Sequence, residues 1–225
     1  MWATRLAIGA MLAFVLGPAL AHLGILPARV GFLLFGLGGL LGIIAAVLGI
    51  IGALRGAGVG VGLVVGALVA IIFVIRAIPS AQVPPINDIT TDTTTPPQFA
   101  AAGSIAANQG RDMTYPGPSF AEQQRAGYPD LAALQLSASP DDVFKRVDAV
   151  AHQMATWEIT RSDPAAHTLE GIDTTWLFQF KDDFVVEVRP QGSGSIVQMR
   201  SKSRDGKGDI GANAARIRAF FAKLQ

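Results

Sequence analysis

The sequence predicts an α+β protein in two unlike parts: a three-helix transmembrane anchor, then a two-layer domain of four-stranded antiparallel sheet with two helices on one face. Three observations carry this reading. Residues 1–78 hold only four charged side chains, Arg5, Arg29, Arg55 and Arg76, separated by long apolar runs without Asp or Glu, which is a membrane composition. Residues 79–138 hold eight of the thirteen prolines, the mark of an extended arm rather than of helices or strands. Residues 139–225 alternate between helical and period-two apolar patterns.

In the anchor, residues 6–23 are apolar apart from His22, and about 18 residues at a rise of about 1.5 Å just cover a hydrocarbon core of about 30 Å. A second span covers Val30–Leu54, and a third covers Val59–Ile75 after a turn around Arg55. Small residues recur every fourth position: Gly9, Ala13, Gly17 and Ala21, then Gly38, Gly42 and Ala46, then Gly58, Gly62, Gly66 and Ala70. Such ridges let helix backbones approach closely. The spans carry no Asp, Glu or Lys, which argues against an ion or proton pathway. Arg5 and the small residues of Ala19-Leu20-Ala21 also fit a cleavable signal. Three spans with the N-terminus inside, or two after cleavage, both deliver the domain to the outer side.

The 14 basic and 17 acidic side chains beyond residue 79 give that part a formal −3. Residues 81–199 hold 7 basic and 15 acidic side chains, whereas residues 200–225 hold 7 and 2. A basic C-terminal end attracts anionic partners. The chain has no cysteine, which excludes disulfides, thiol nucleophiles and cysteine-based metal sites.

Within the arm, residues 84–92 are expected to be ordered against the domain, and residues 100–125 to be looser. In the domain, Ser139-Pro140-Asp141-Asp142 starts a helix that runs to about Thr156, with Val143, Phe144, Val147, Val150, Ala151 and Met154 on one face. A short strand at Trp157–Arg161 precedes three clear ones. Ile172, Trp176, Phe178 and Phe180 alternate with polar residues in the first, which makes this aromatic stripe core. Asp182-Asp183 turns into a strand with Phe184, Val186 and Val188, and residues 191–195 turn into the last strand. Asp209 is the expected N-cap of a final helix with Ile210, Ala214, Ile217, Phe221 and Leu224 on one face.

Two polar motifs stand out, PPINDITTD from Pro84 and RSKSRDGKGDIGANAARIRAF from Arg200. With Pro96–Phe99, Tyr128-Pro129 and the paired aspartates, they resemble a bacterial domain of unknown function, family 1499, in its membrane-anchored form, over about residues 84–222. The resemblance implies a membrane-anchored or exported domain and brings no activity and no catalytic residue. Asn87, Thr90, Thr91 and Asp92 match one motif; Arg200, Ser201, Ser203, Arg204, Gly206, Asp209, Gly211, Asn213 and Arg216 match the other.

If the last strand continues through the second motif, Arg200, Lys202 and Arg204 share one face and Ser201 and Ser203 the other. With the start of the final helix, these cations suit a phosphate or carboxylate. The competing expectation is a structural clamp, with Asp88 and Asp92 occupying the arginines, Arg216 in support, and Asn87, Thr90 and Thr91 alongside. A hydrolytic enzyme acting on an envelope component is the alternative, with Ser201 or Ser203, His167 and Asp182 or Asp183 as its only set, and nothing in their spacing brings these together. No cofactor or metal site is expected from three scattered histidines, and no nucleic-acid partner. The expectation is therefore an integral protein of the bacterial inner membrane. Its periplasmic domain has a non-catalytic binding or scaffolding role toward an anionic ligand or an envelope protein.

Overall fold

The computed structural model describes residues 2–58 and 60–225, with Pro79 described by its backbone alone. The chain divides into two compact units, residues 1–82 with 175–180, and residues 83–174 with 181–225.

In the first unit, three helices are long and apolar enough to cross a membrane: α1 (Trp2–His22), α2 (Ala28–Gly52, continued by a wider turn Ala53–Ala57) and α3 (Val61–Ser80). The expected start of the third span, Val59, lies outside the described residues. The helices meet through backbone. A Cβ on Gly38 would lie 2.7 Å from the Ala10 carbonyl oxygen, and one on Gly66 2.7 Å from the Ala46 nitrogen. Glycine is what permits that approach.

The stretch Thr175–Phe180 belongs to this unit and corrects the strand expectation. The strand ends at Thr174, and the chain closes a loop on its own bonds: the Thr175 amide donates to the Phe180 carbonyl at 2.8 Å, and the Phe180 amide to Thr175 Oγ1 at 2.9 Å. Phe178 packs on Phe32 and Phe35 of α2, and Phe180 on Phe32. The aromatic stripe is therefore not core of the sheet. Alternation reports that two sides differ, and it is blind to which apolar body receives the apolar side.

In the second unit, β3 (Trp157–Asp163), β4 (Thr168–Thr174), β5 (Lys181–Gln191) and β6 (Gly194–Ser203) form an antiparallel meander. The sheet has six strands rather than four. Two three-residue strands, β1 (Asp88–Thr90) and β2 (Leu134–Leu136), pair along the outer edge of β6. An unpaired β6 would offer open hydrogen-bonding groups, and residues 83–138 cover them. That segment, expected to be extended, also contains two 3₁₀ turns (Ala102–Ser104, Ala106–Asn108) and a helix, α4 (Pro118–Gly127). Three α-helices thus accompany the sheet instead of two.

α5 (Pro140–Ala151) begins where Ser139 accepts the Asp142 amide, and it stops five residues before the expected end. α6 (Ala212–Leu224) follows Gly211, which holds φ 83 at the N-cap position, a conformation glycine adopts without Cβ strain. Ile210, assigned from spacing to the buried face of α6, precedes the helix and is exposed. Val143, Phe144, Val147 and Ala151 of α5 join Ala214, Ile217, Phe220 and Leu224 of α6 over Leu169, Phe184, Val186, Val197 and Met199. Residues 93–116 cover the other face of the sheet.

Candidate functional site

The two polar motifs lie side by side as antiparallel strands. Asp88 pairs with Lys202, Ile89 with Ser201 and Thr90 with Arg200. Beyond the ladder, Asn87 accepts the Ser203 amide at 2.8 Å, and its side chain donates to the Gly206 carbonyl at 2.7 Å. Thr91 continues the pairing, its amide donating to the Met199 carbonyl and its Oγ1 accepting the Met199 amide, both at 2.9 Å.

On the arm face of β6, Arg200 is 0% exposed. Its Nε and Nη2 each donate to one Asp88 oxygen at 2.8 Å, the bidentate fork that suits guanidinium to carboxylate. Nη1 reaches the Pro97 carbonyl at 3.3 Å and Nη2 the Met113 carbonyl at 2.8 Å. Its guanidinium carbon stands 4.9 Å from the Phe99 ring centre and 5.5 Å from that of Tyr115. Burial, with Asp88 next, pushes the Tyr115 hydroxyl up to about 12. Lys202 Nζ donates to the same carboxylate at 2.8 Å.

A second buried carboxylate, Asp183, accepts Arg204 Nη2 at 2.6 Å and Asn108 Nδ2 at 2.9 Å. Arg111 bonds Asn108 Oδ1 at 2.6 Å and the Ser203 carbonyl at 2.7 Å. Glu170 accepts the amides of Ala100, Ala101 and Ala102 between 2.8 and 3.0 Å. It thereby satisfies the open end of a 3₁₀ turn.

On the helix face, Arg216 of α6 donates to Asp173 and Asp182 at 2.6 Å each and to Ser201 Oγ at 2.7 Å. Asn213 accepts from Ser201 at 2.7 Å and donates to Ser203 Oγ at 2.9 Å and to the Asn87 carbonyl at 3.2 Å. Asp209 is not the backbone N-cap, yet its carboxylate accepts the Gly211 and Asn213 amides at 2.9 and 2.8 Å. Burial raises its pKa against those bonds.

The sequence expectation needs three corrections here. Asp92 does not meet Arg200 or Arg204; its oxygens take the amides of Thr94 and Thr95 at 2.9 Å, Thr95 Oγ1 at 2.6 Å and Gln198 at 3.1 Å. Burial works to raise its pKa, but the bonds from Thr95, Thr94 and Gln198 prevail and lower it. Asp182 and Asp183 are not turn residues but lie on β5, where alternation sends one to Arg216 and the other to Arg204. His167 pairs with Asp141 of α5 at 2.7 Å, and neither Ser201 nor Ser203 is among its partners.

Sequence reading missed Glu170, Asp173, Asn108, Arg111 and Gln124. Gln124 of α4 receives the Thr90 amide at 3.0 Å and donates to the Thr90 carbonyl at 2.6 Å, completing the edge of β1 like a further strand. The one available signal was Glu170, an acidic residue in the middle of an apolar strand pattern. A hollow of about 330 Å³ lies beside this edge, lined by Thr91, Thr93, Gln124, Arg125, Tyr128, Pro129 and Leu131. Arg125 bonds Thr93 at 3.0 Å and Gln124 is held by Thr90, whereas the buried Tyr128 hydroxyl has no hydrogen-bond partner among the described residues. Among the described residues, no group of three or more His, Asp or Glu side chains is placed to hold a metal ion.

A family model described as a protein of unknown function (DUF1499) matches residues 88–224. The chain belongs to this family. The match begins at Asp88, on the clamp itself, and ends at the last residue of α6, so the DUF1499 domain comprises the six-stranded sheet, the covering arm and both core helices. Comparison with curated proteins gives no match.

Proposed function

We propose that the protein is an integral component of the bacterial inner membrane whose DUF1499 domain stands on the periplasmic side as a non-catalytic scaffolding or binding module. One observation carries this reading: the motif that looked fit to hold an anion is spent internally, with Arg200 fully buried on Asp88 and Arg204 and Arg216 on Asp183, Asp182 and Asp173. The apparent charge asymmetry of the sequence is resolved in space. Arg111, Arg200, Lys202, Arg204 and Arg216 are ion-paired with Asp88, Asp173, Asp182 and Asp183. A network paired in this way locks a shape, since its cations and carboxylates are spent on one another, with Asp173 Oδ1 left without a hydrogen-bond partner among the described residues.

Export of the domain follows from three spans with the N-terminus inside. Retention of α1 is supported by its packing, because Ala21 of the signal-like site and Gly17 just before it press against Gly31 of α2. A reporter active only outside the cytoplasm, fused after Gln225, is expected to be active, and the mature chain to retain α1 when its N-terminal peptides are read by mass spectrometry. Thermal melts with and without phosphate test the module. The parent is expected to melt alike in both, and Arg200→Ala to melt lower in both. Phosphate stabilisation of the parent that Arg200→Ala abolishes would replace scaffolding with an anion site.

A further inference from the structure

We propose that the Thr175–Phe180 loop is a lipid-contacting element, inserting Trp176 and Leu177 into the bilayer interface at the end where α1 finishes and α2 begins. The inference rests on α1–α3 spanning the membrane. Trp176 is 70% exposed and Leu177 39%, although the neighbouring Phe178 and Phe180 are held against α2. Exposed apolar groups beside one another mark an interaction surface. Their surroundings identify the partner as lipid.

The loop sequence, TWLFQF, carries no charge, and charged residues resume only at Asp173 and Lys181. Phe178 sits 5.3 Å from Phe32 and 5.7 Å from Phe35 between ring centres. Those residues are the fifth and eighth of α2, about 6 and 10 Å along the helix from its first residue. Apolar faces of interfacial segments enter to about 5–10 Å, so the loop reaches the depth at which tryptophan concentrates in membrane proteins. On the α1 side, His22 Nδ1 lies 2.7 Å from the Trp176 carbonyl oxygen, and the rings of His22 and Trp176 are 5.1 Å apart. The α1–α2 link adds Leu23 and Ile25, both exposed, so the loop extends a surface that is already apolar. Topology permits this meeting: two crossings, α2 and α3, separate the link from residue 81, which places the link and the emerging chain on one side of the bilayer.

The absence of native cysteine makes the test direct. In full-length protein reconstituted into phosphatidylcholine–phosphatidylglycerol vesicles, spin labels are placed singly through Trp176→Cys, Leu177→Cys, Leu40→Cys on the exposed side of α2, and Ser193→Cys at the far end of β5. Accessibility to oxygen, which concentrates in lipid, is compared with accessibility to a water-soluble nickel chelate. The expected result is oxygen preference at 40, 176 and 177 and the reverse at 193. Nickel preference at 176 and 177 with oxygen preference at 40 would overturn the loop while leaving the spans intact. Exclusion of both reagents at 176 and 177 would overturn it in favour of a protein cover, such as a second copy of the chain. Nickel preference at 40 would remove the spanning reading and the loop with it.

Discussion

On the helix face of β6, Val197 and Met199 meet the apolar sides of α5 and α6, whereas on the arm face Gln198, Arg200 and Lys202 meet carboxylates, carbonyls and rings supplied by residues 88–115. Between Val197 and Arg200 the strand is thus buried on both sides by opposite means, and the helix face turns polar only at Ser201 and Ser203, which bond Arg216 and Asn213. Apolar packing is non-directional, and its loss is graded by the volume removed. A buried ion pair adds little net stability over an apolar substitute, yet it is costly to break from one side, because the remaining charge stays without water. The arm face should therefore fail abruptly and the helix face by degrees. This difference is what makes the arm part of the fold, since Arg200 alone ties down Asp88, Pro97, Phe99, Met113 and Tyr115.

The largest expected effect comes from Asp88→Ala, which strands both Arg200 and Lys202. We expect a loss of about 3–5 kcal/mol, measured by urea unfolding of the full chain in detergent through fluorescence of the partly buried Trp157. A midpoint equal to the parent's would show that the arm face tolerates single losses as an apolar face does. Arg200→Lys sharpens the contrast by keeping the charge and removing the fork, at an expected cost of about 1.5–3 kcal/mol; an unchanged midpoint would mean that charge alone holds Asp88. Gln124→Ala removes the side-chain edge of β1 and should cost about 1–3 kcal/mol, with faster amide exchange at Thr90 as its local signature. Unaltered exchange there would reassign the edge to other groups. On the helix face, Ile217→Val deletes one buried methylene and should cost only about 0.5–1.5 kcal/mol; a loss as large as that of Asp88→Ala would erase the comparison.

The smallest effects are in pH, and they have opposite signs. Asp92 has a lowered pKa in the fold, so its contribution is complete above the unfolded carboxylate value and is lost as pH falls through the lower folded value. Asp209 has a raised pKa, so its ionised form weakens the fold above the folded value, and that penalty is relieved as pH falls toward the unfolded value. Stability profiles should flatten on the acid side for Asp92→Asn and lose the acid relief for Asp209→Asn. Parallel profiles for parent and both variants would contradict this assignment.

Much of the fold was legible residue by residue. The three apolar helices, the Ser139 start of α5, the meander and the apolar face of α6 all follow from local periodicity and capping. The polar motifs were legible as a location, because arginines, serines and glycines clustered where an ordinary strand end needs none. Their pairing was less legible: Asp88 was named, while Asp92 was offered Arg200 or Arg204, which belong to Asp88 and Asp183. Carboxylates on β4 and β5 read as solvated or turn residues, since a period-two pattern assigns polar groups to water when the sheet is taken to have one open face. The arm closes that face.

The sequence by itself determined composition-driven features: where the apolar helices lie, which strands alternate, and where cations gather ahead of α6. These depend on neighbours within a few residues, and the chain carries such information directly. Only the tertiary structure decided that residues 83–138 complete the sheet and bury its second face, that Arg200 ends on Asp88 across 112 positions, and that Trp176, Phe178 and Phe180 leave the sheet for the apolar helices. The physical reason is that burial and charge pairing are properties of the assembled surface. An arginine is drawn to whichever carboxylate shares its dry space, and an aromatic stripe to whichever apolar body lies against it, so neither partner is written in the spacing of the residues around it.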